Sequence, residues 1–390
     1  MIGPRVAMAV TGRVRGWLLL MWPGAWVAAV LGLACGVPGG EEWLPGVAAA
    51  PALACAGTGR RRCVALSGGL AVAALFVPGP GRPRAGAAVA VVAVLAACFW
   101  LADRRRRLAA ELTRTREVAL AAQRVLLRPL PQRVNDLTVA ADHVSASRGA
   151  HVGGDLYEVL ATPHGVRAVI GDVRGHGLEA IGTVAALLGT FREAAYDEPE
   201  LGGLLARLDR ALARHIQERP FAAEEFVTLM LLQLDEDGQV DVLNCGHPGP
   251  YRLSADRPGS VLALPLDAGE PLPPLGLVDA AAGAKAVRCG RLLPGQALFL
   301  HTDGVADARD ADGTFFPLAA ALEGAARAAG GHTLCARALV DAVRAAYMRH
   351  TRGRLTDDMA LLVLHRDAPR VPEQASVPRT VTRHPGVPRV

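Results

Sequence analysis

Four short acidic clusters hold the residue types in this chain that can do chemistry: GGDLYE (153 to 158), VIGDVRGHG (169 to 177), FLHTDGVADARD (299 to 310) and LTDDMALLVL (355 to 364). Each stands in a turn at the end of an apolar run, a place from which side chains converge on a solvent-open cleft. Asp and Glu oxygens are hard ligands suited to Mg²⁺ or Mn²⁺, and several of them with no accompanying Cys–His set favour such ions over zinc. Paired metals fit that donor set. Asp-Gly and Gly-Asp are also ordinary turn chemistry, so one cluster alone carries little, and the ordered set carries the reading.

Other chemistries fall away on composition. The seven Cys include no CxxC pair, which points to neither a zinc site nor a disulfide framework. A phosphate-binding GxxxxGK[ST] loop is excluded because the only Lys is Lys285, within AGAKAV, and no GxSxG elbow serves a serine hydrolase. GGDLYE is similar to the GG[DE]EF signature of diguanylate cyclases. That reading fails on context, because residues 103 to 150 lack the Lys of the upstream segment those enzymes need.

The elements that must position the clusters follow from a change of composition near residue 103. Uncharged stretches cover 17 to 35, 43 to 59, 63 to 79 and 85 to 102, each near the length of about 17 to 20 residues that spans a bilayer. Arg5, Arg13, Arg15, Arg60 to Arg62 and Arg104 to Arg107 fall on one side of these stretches, with Arg82 and Arg84 on the other. The expectation is an all-α membrane domain over 1–102 with about four transmembrane helices, a multi-pass protein of the cell membrane with its catalytic domain cytoplasmic. A connecting helix over 103–130 follows and stops at Pro129 and Pro131. Along it Leu108, Leu112, Thr115, Ala119, Ala122 and Leu126 recur at spacings of four and three, the seam of a short coiled coil, so a homodimer through residues 103–127 is expected. From 131 to 367, two helices (178 to 196 and 199 to 217) stand among short β-rich runs at 166 to 171, 226 to 234, 239 to 243, 261 to 265, 296 to 301 and 359 to 364. That mixture predicts an α+β fold rather than a βαβ repeat. The Pro-rich tail over 368–390 is expected to be disordered.

Taken in order, GGDxYE, GDVxGHG, FVTxxLLxLD, NCGHPGP, PLG, TDGVxxARDxDGxFF and TDDMxLLVL resemble the SpoIIE/RsbU branch of the PP2C-like protein phosphatases, over residues 118 to about 365. The resemblance implies a PP2C-like α/β/β/α sandwich of two antiparallel sheets flanked by helices, and a serine/threonine phosphatase that uses two Mn²⁺ or Mg²⁺ ions. It assigns Asp155 to one ion, Asp172 to a bridge between both, the carbonyl of Val173 to support, and Asp303, Asp357 and Asp358 to the rest of the metal set. It also implies a phosphoprotein substrate, an anti-sigma-factor antagonist. Glu158, Arg174, Glu179 and His301 depart from the family pattern, but no expected metal carboxylate is lost, which argues against a non-catalytic receptor that keeps only the fold. Arg174 reads as a substrate-phosphate contact or an exposed loop residue, and His176 and His247 as packed turn residues.

Overall fold

The computed structural model describes residues 25–34, 36, 46–47, 49–58, 61–74, 84–145, 153–175, 177–218, 225–257, 260–277, 283–328 and 335–367. His176, Arg5, Arg13, Arg15 and the tail over 368–390 lie outside them. The chain divides into two units, Met1–Thr115 and Arg116–Val390.

In the first unit a helical run covers 25–34, followed by α1 (Ala49–Thr58), α2 (Arg61–Ala74) and the start of α3 (Arg84–Leu126). Small and β-branched side chains pack these helices, with Val27, Val30, Val47, Ala50, Ala71 and Val91 in one buried cluster and Cys55, Val64, Cys98 and Ala102 in another. The expected multi-pass membrane domain is corrected here: among the described residues no helix is long and apolar enough to cross a membrane. Helices α1 and α2 have 10 and 14 residues, short of the roughly 20 that a span needs. Helix α3 carries its apolar residues only as far as Ala102, runs on into Asp103 and Arg104 to Arg107, and is likewise not a span among the described residues.

The second unit is built from alternation. In β4 (Gly165–Val173), Val166, Ala168 and Ile170 point to one face while Val169 and Val173 point to the other, and every one is buried. A strand buried on both faces needs a covering layer on each. Two sheets meet the requirement. One has the order β1 (Arg133–Val134), β2 (Leu137–Val144), β11 (Met359–Arg366), β10 (Ala297–His301), β7 (Tyr251–Arg257), β8 (Ser260–Pro265). The other has the order β3 (Asp155–Thr162), β4, β5 (Val227–Leu234), β6 (Gln239–Cys245), β9 (Val287–Arg291). All pairings between named strands are antiparallel.

Between the sheets lie Ile170, Met230, Leu232, Val242, Leu298, Leu300, Leu362 and Leu364. The outer face of the β3–β9 sheet is covered by α4 (Leu178–Asp197) and α5 (Leu201–Gln217), through Leu187, Phe191, Leu204 and Leu208. After the four-residue helix α6 (Asp303–Ala306), α7 (Leu318–Ala328) and α8 (Ala336–His350) cover the other sheet through Leu322, Leu339, Val343 and Tyr347. The result is a helix–sheet–sheet–helix sandwich, as the α+β expectation required.

Candidate active site

Both sheets send carboxylates to one end of the sandwich. Asp155 opens β3 and is the register partner of Asp172 near the end of β4. From the facing sheet, Asp303 begins α6 directly after β10, and Asp357 and Asp358 precede β11. Each position is a strand end, where the ladder stops and a turn frees the side chain.

Glycine makes the approach possible. A Cβ on Gly154 would lie 2.2 Å from the carbonyl oxygen of Val173 and 3.0 Å from Asp172 Oδ1, so no larger residue lets these strands close. A Cβ on Gly153 would fall on the Asp358 carboxylate. Gly304 brings the start of α6 against the backbone carbonyl of Asp358.

The two sheets are joined at this end by Thr302. Its hydroxyl oxygen accepts the Ala360 N–H at 2.9 Å, which directs its own O–H to Asp155 Oδ2 at 3.2 Å. His143 of β2 brings Nε2 to 3.8 Å from the same carboxylate oxygen. Asp357 Oδ1 accepts the Asp358 N–H at 2.8 Å.

Electrostatically the site is a set of like charges. Burial, followed by the fields of Asp172, Asp358 and Asp303, holds the Asp155 carboxyl well above its ordinary range. Asp172 is pushed up to about 8 by burial and then by Asp303, Asp357 and Asp358. Asp303 is raised by burial and by Asp357. Burial lowers the pKa of His143, which therefore adds no firm positive charge. Among the described residues, no three His, Cys, Asp or Glu side chains are drawn together closely enough to cage an ion as they stand. The chemistry of the donor set nevertheless fits hard divalent cations: all-oxygen, strongly anionic and lacking a built-in counter-charge.

The other residues singled out in the sequence have structural settings. Glu158 is buried and accepts from Arg192 Nε at 2.7 Å, and Glu179 is exposed in the first turn of α4. The Arg174 guanidinium lies 5.1 Å from the centre of the Phe226 ring. His247 is buried in the NCGH turn, where Asn244 holds its backbone at both ends and its Nδ1 lies 3.2 Å from Thr228 Oγ1. Thr228 is in turn the register partner of Asp172. His301 is also buried, with Nδ1 3.0 Å from the carbonyl oxygen of Thr302. Sequence reasoning missed His143, Thr302 and Thr228 as neighbours of the carboxylates. The alternation in LTVAADHV was the available signal for His143, and Thr302 sits inside the HTDG cluster itself.

Comparison with known proteins follows the same segment. The family model for stage II sporulation protein E (SpoIIE) matches residues 162–367, more than half of the chain, starting just after Asp155. The PP2C domain of SiaA from Pseudomonas aeruginosa is similar over 68% of this chain and 99% of its own, at 17% identity and a TM-score of 0.51, a likeness of fold. The RsbU and RsbW domains of a Mycobacterium tuberculosis protein align over 60% of this chain at 24% identity and a TM-score of 0.46, and this chain spans 60% of that structure's length. The PP2C domain of SpoIIE from Bacillus subtilis, solved with a fragment of its regulatory domain, aligns over 59% of this chain and 64% of its own, at 17% identity and a TM-score of 0.42.

Proposed function

The chain belongs to the SpoIIE family and is a protein serine/threonine phosphatase by class; from that premise we propose that it hydrolyses phosphoserine or phosphothreonine on a regulatory protein, with divalent metal ions held by the carboxylates at the end of its sandwich. The observation that carries this reading is the mutual repulsion of Asp155, Asp172, Asp303, Asp357 and Asp358, which two Mn²⁺ or Mg²⁺ ions would relieve. Asp155, Asp172, Asp303, Asp357 and Asp358 would be the side-chain ligands, with the Val173 carbonyl beside Gly154 as a backbone donor. Bound there, such ions supply activated water near neutral pH and a clamp for the phosphoryl oxygens.

The protein's own part is to hold the donors still. Thr302, fixed by the Ala360 N–H, keeps Asp155 turned toward the cleft. Gly153 and Gly154 keep the backbone low enough for the carboxylates of both sheets to share one opening. The substrate we propose is an anti-sigma-factor antagonist, the target implied by the resemblance to the RsbU branch. A homodimer through residues 103–127 belongs to the same proposal, supported by the exposure of Leu108 and Leu112 on α3.

Hydrolysis of p-nitrophenyl phosphate with and without Mn²⁺, run beside GTP turnover, tests the reading. Mn²⁺-dependent release of nitrophenol without GTP turnover is expected. A protein that is inert with Mn²⁺ and Mg²⁺, or that consumes GTP, overturns it.

A further inference from the structure

A cavity of about 740 Å³ beside the catalytic edge carries groups that phosphate hydrolysis leaves unused. Arg124 in the last turn of α3 and Arg128 two residues past its end line it, both exposed and with no ion-pair partner among the described residues. Arg344 of α8 adds a third guanidinium, 3.4 Å from Asp142 Oδ2.

Deeper in the same wall, Ser145 Oγ is buried with no hydrogen-bond partner, and Asp142 Oδ2 and His143 Nε2 are buried with no hydrogen bond, their polar contacts being the ion pair to Arg344 and the 3.8 Å approach to Asp155. Buried polar atoms are nearly always hydrogen-bonded, so three in one cavity that lack a hydrogen bond leave capacity for an occupant. Ordered water would satisfy them, but the same cavity also carries two exposed guanidiniums at its mouth, donors that suit an anion. Leu127 and Tyr157 supply apolar wall between the two polar zones. The volume lies within the range of about 300 to 1,000 Å³ typical of small-molecule sites.

We propose that this cavity is a second binding site, for a small phosphorylated molecule that carries hydroxyl groups and is about the size of a mononucleotide. Guanidinium forks clamp phosphate by paired, charge-assisted hydrogen bonds. Asp142 accepts from a hydroxyl, and Ser145 and His143 complete the contacts to the hydroxyl-bearing part. The site adjoins the catalytic edge, because Gln123 Nε2 donates to the Gly153 carbonyl at 3.3 Å and His143 also faces Asp155.

The test is isothermal titration of the full chain in EDTA with AMP, glucose 6-phosphate and inorganic phosphate. Without divalent ions the catalytic cleft cannot turn these probes over, so failure here leaves the phosphatase reading intact. AMP or glucose 6-phosphate should bind with a Kd of about 1 mM or tighter, and inorganic phosphate more weakly. Preference between the first two separates a nucleotide from a sugar phosphate. The R124A/R128A double variant, which changes only exposed side chains, should weaken binding at least about tenfold. Asp142→Asn should weaken the preferred probe relative to inorganic phosphate, which loses no hydroxyl contact and gains from the release of Arg344. No binding of any probe at about 10 mM, or binding that R124A/R128A does not alter, overturns the site. Unaltered binding by Asp142→Asn overturns the hydroxyl contact.

Discussion

Asp155 and Asp172 are register partners on adjacent antiparallel strands, at the end of the β3–β4 hairpin away from its turn. Two carboxylates placed opposite one another are destabilising in an ordinary sheet. Here the arrangement is reinforced by Asp303, Asp357 and Asp358, and the only hydroxyl that donates to Asp155 comes from Thr302 of the other sheet, among the described residues. An edge so built gives up stability to keep a cation-shaped deficit. Replacing Asp172 by Asn should therefore abolish Mn²⁺-dependent turnover by several orders of magnitude while the domain stays folded. Steady-state kinetics on protein checked by circular dichroism decides this. Retention of more than about a tenth of wild-type activity would show that Asp172 is not central to the metal set.

The same deficit has a pH signature. The Asp172 carboxyl is raised to about 8 in the folded protein, so over the interval from the ordinary carboxylate range up to about 8 the folded state binds more protons than the unfolded one. Stability then falls as pH rises through that interval. In EDTA the melting temperature should drop between about pH 5 and pH 8, and Asp172→Asn should flatten the drop. His247 acts at the other end: burial lowers it to about 3, so its contribution is lost as pH falls from about 6.5. A metal-free melting profile with no decline on the alkaline side would contradict the assigned repulsion.

Gly153 and Gly154 separate packing from site chemistry. Alanine at 154 drives a methyl into the Val173 backbone, which has no room to yield, and should cost about 1 to 3 kcal/mol as well as activity. Alanine at 153 meets the Asp358 side chain, which can swing away. Gly153→Ala should therefore keep most of the stability and lose metal affinity, read as a raised Mn²⁺ concentration for half-activity. Equal melting temperatures for Gly154→Ala and wild type would refute the close approach.

Much of the sandwich was legible because its strands obey strict alternation and its two central helices carry a leucine stripe, as Leu201, Leu204, Leu205, Leu208 and Leu212 show in α5. The carboxylates were legible because each marks a strand end. Less legible were groups whose meaning depends on partners far away in sequence. Arg167 reads as a surface residue of a strand, yet it is fully buried and donates to the carbonyls of Ala195 and Pro199 and to Gln233, tying β4 to the end of α4. Thr302 acquires its role from Asp155, 147 positions away. The membrane reading went astray because uncharged runs of small residues satisfy a composition rule, whereas a span also depends on uninterrupted helix length. The apolar part of α3 gives way to charge at Asp103, and α1 ends at Thr58.

The end of α3 is where the connecting helix meets the catalytic domain, and it is attached more firmly than a spacer would be. Gln123 is buried and donates to the Gly153 carbonyl. The Leu126 carbonyl accepts from Arg192 at 2.8 Å, and that arginine also pairs with Glu158 on β3. Ala122 and Leu126 pack against Ile181 at the start of α4. These two seam positions are thus occupied within the domain, which leaves Leu108 and Leu112 as the exposed apolar pair for self-association. A protein beginning at residue 103 should dimerise weakly, because a seam of fewer than about three heptads is marginal. One beginning at residue 130 should be monomeric, melt several degrees lower and turn over substrate more slowly, having lost the bond to Gly153. Light scattering across concentration, melting curves and Mn²⁺-dependent turnover on both proteins decide the matter. Two equally active and equally stable monomers would reduce the helix to a tether.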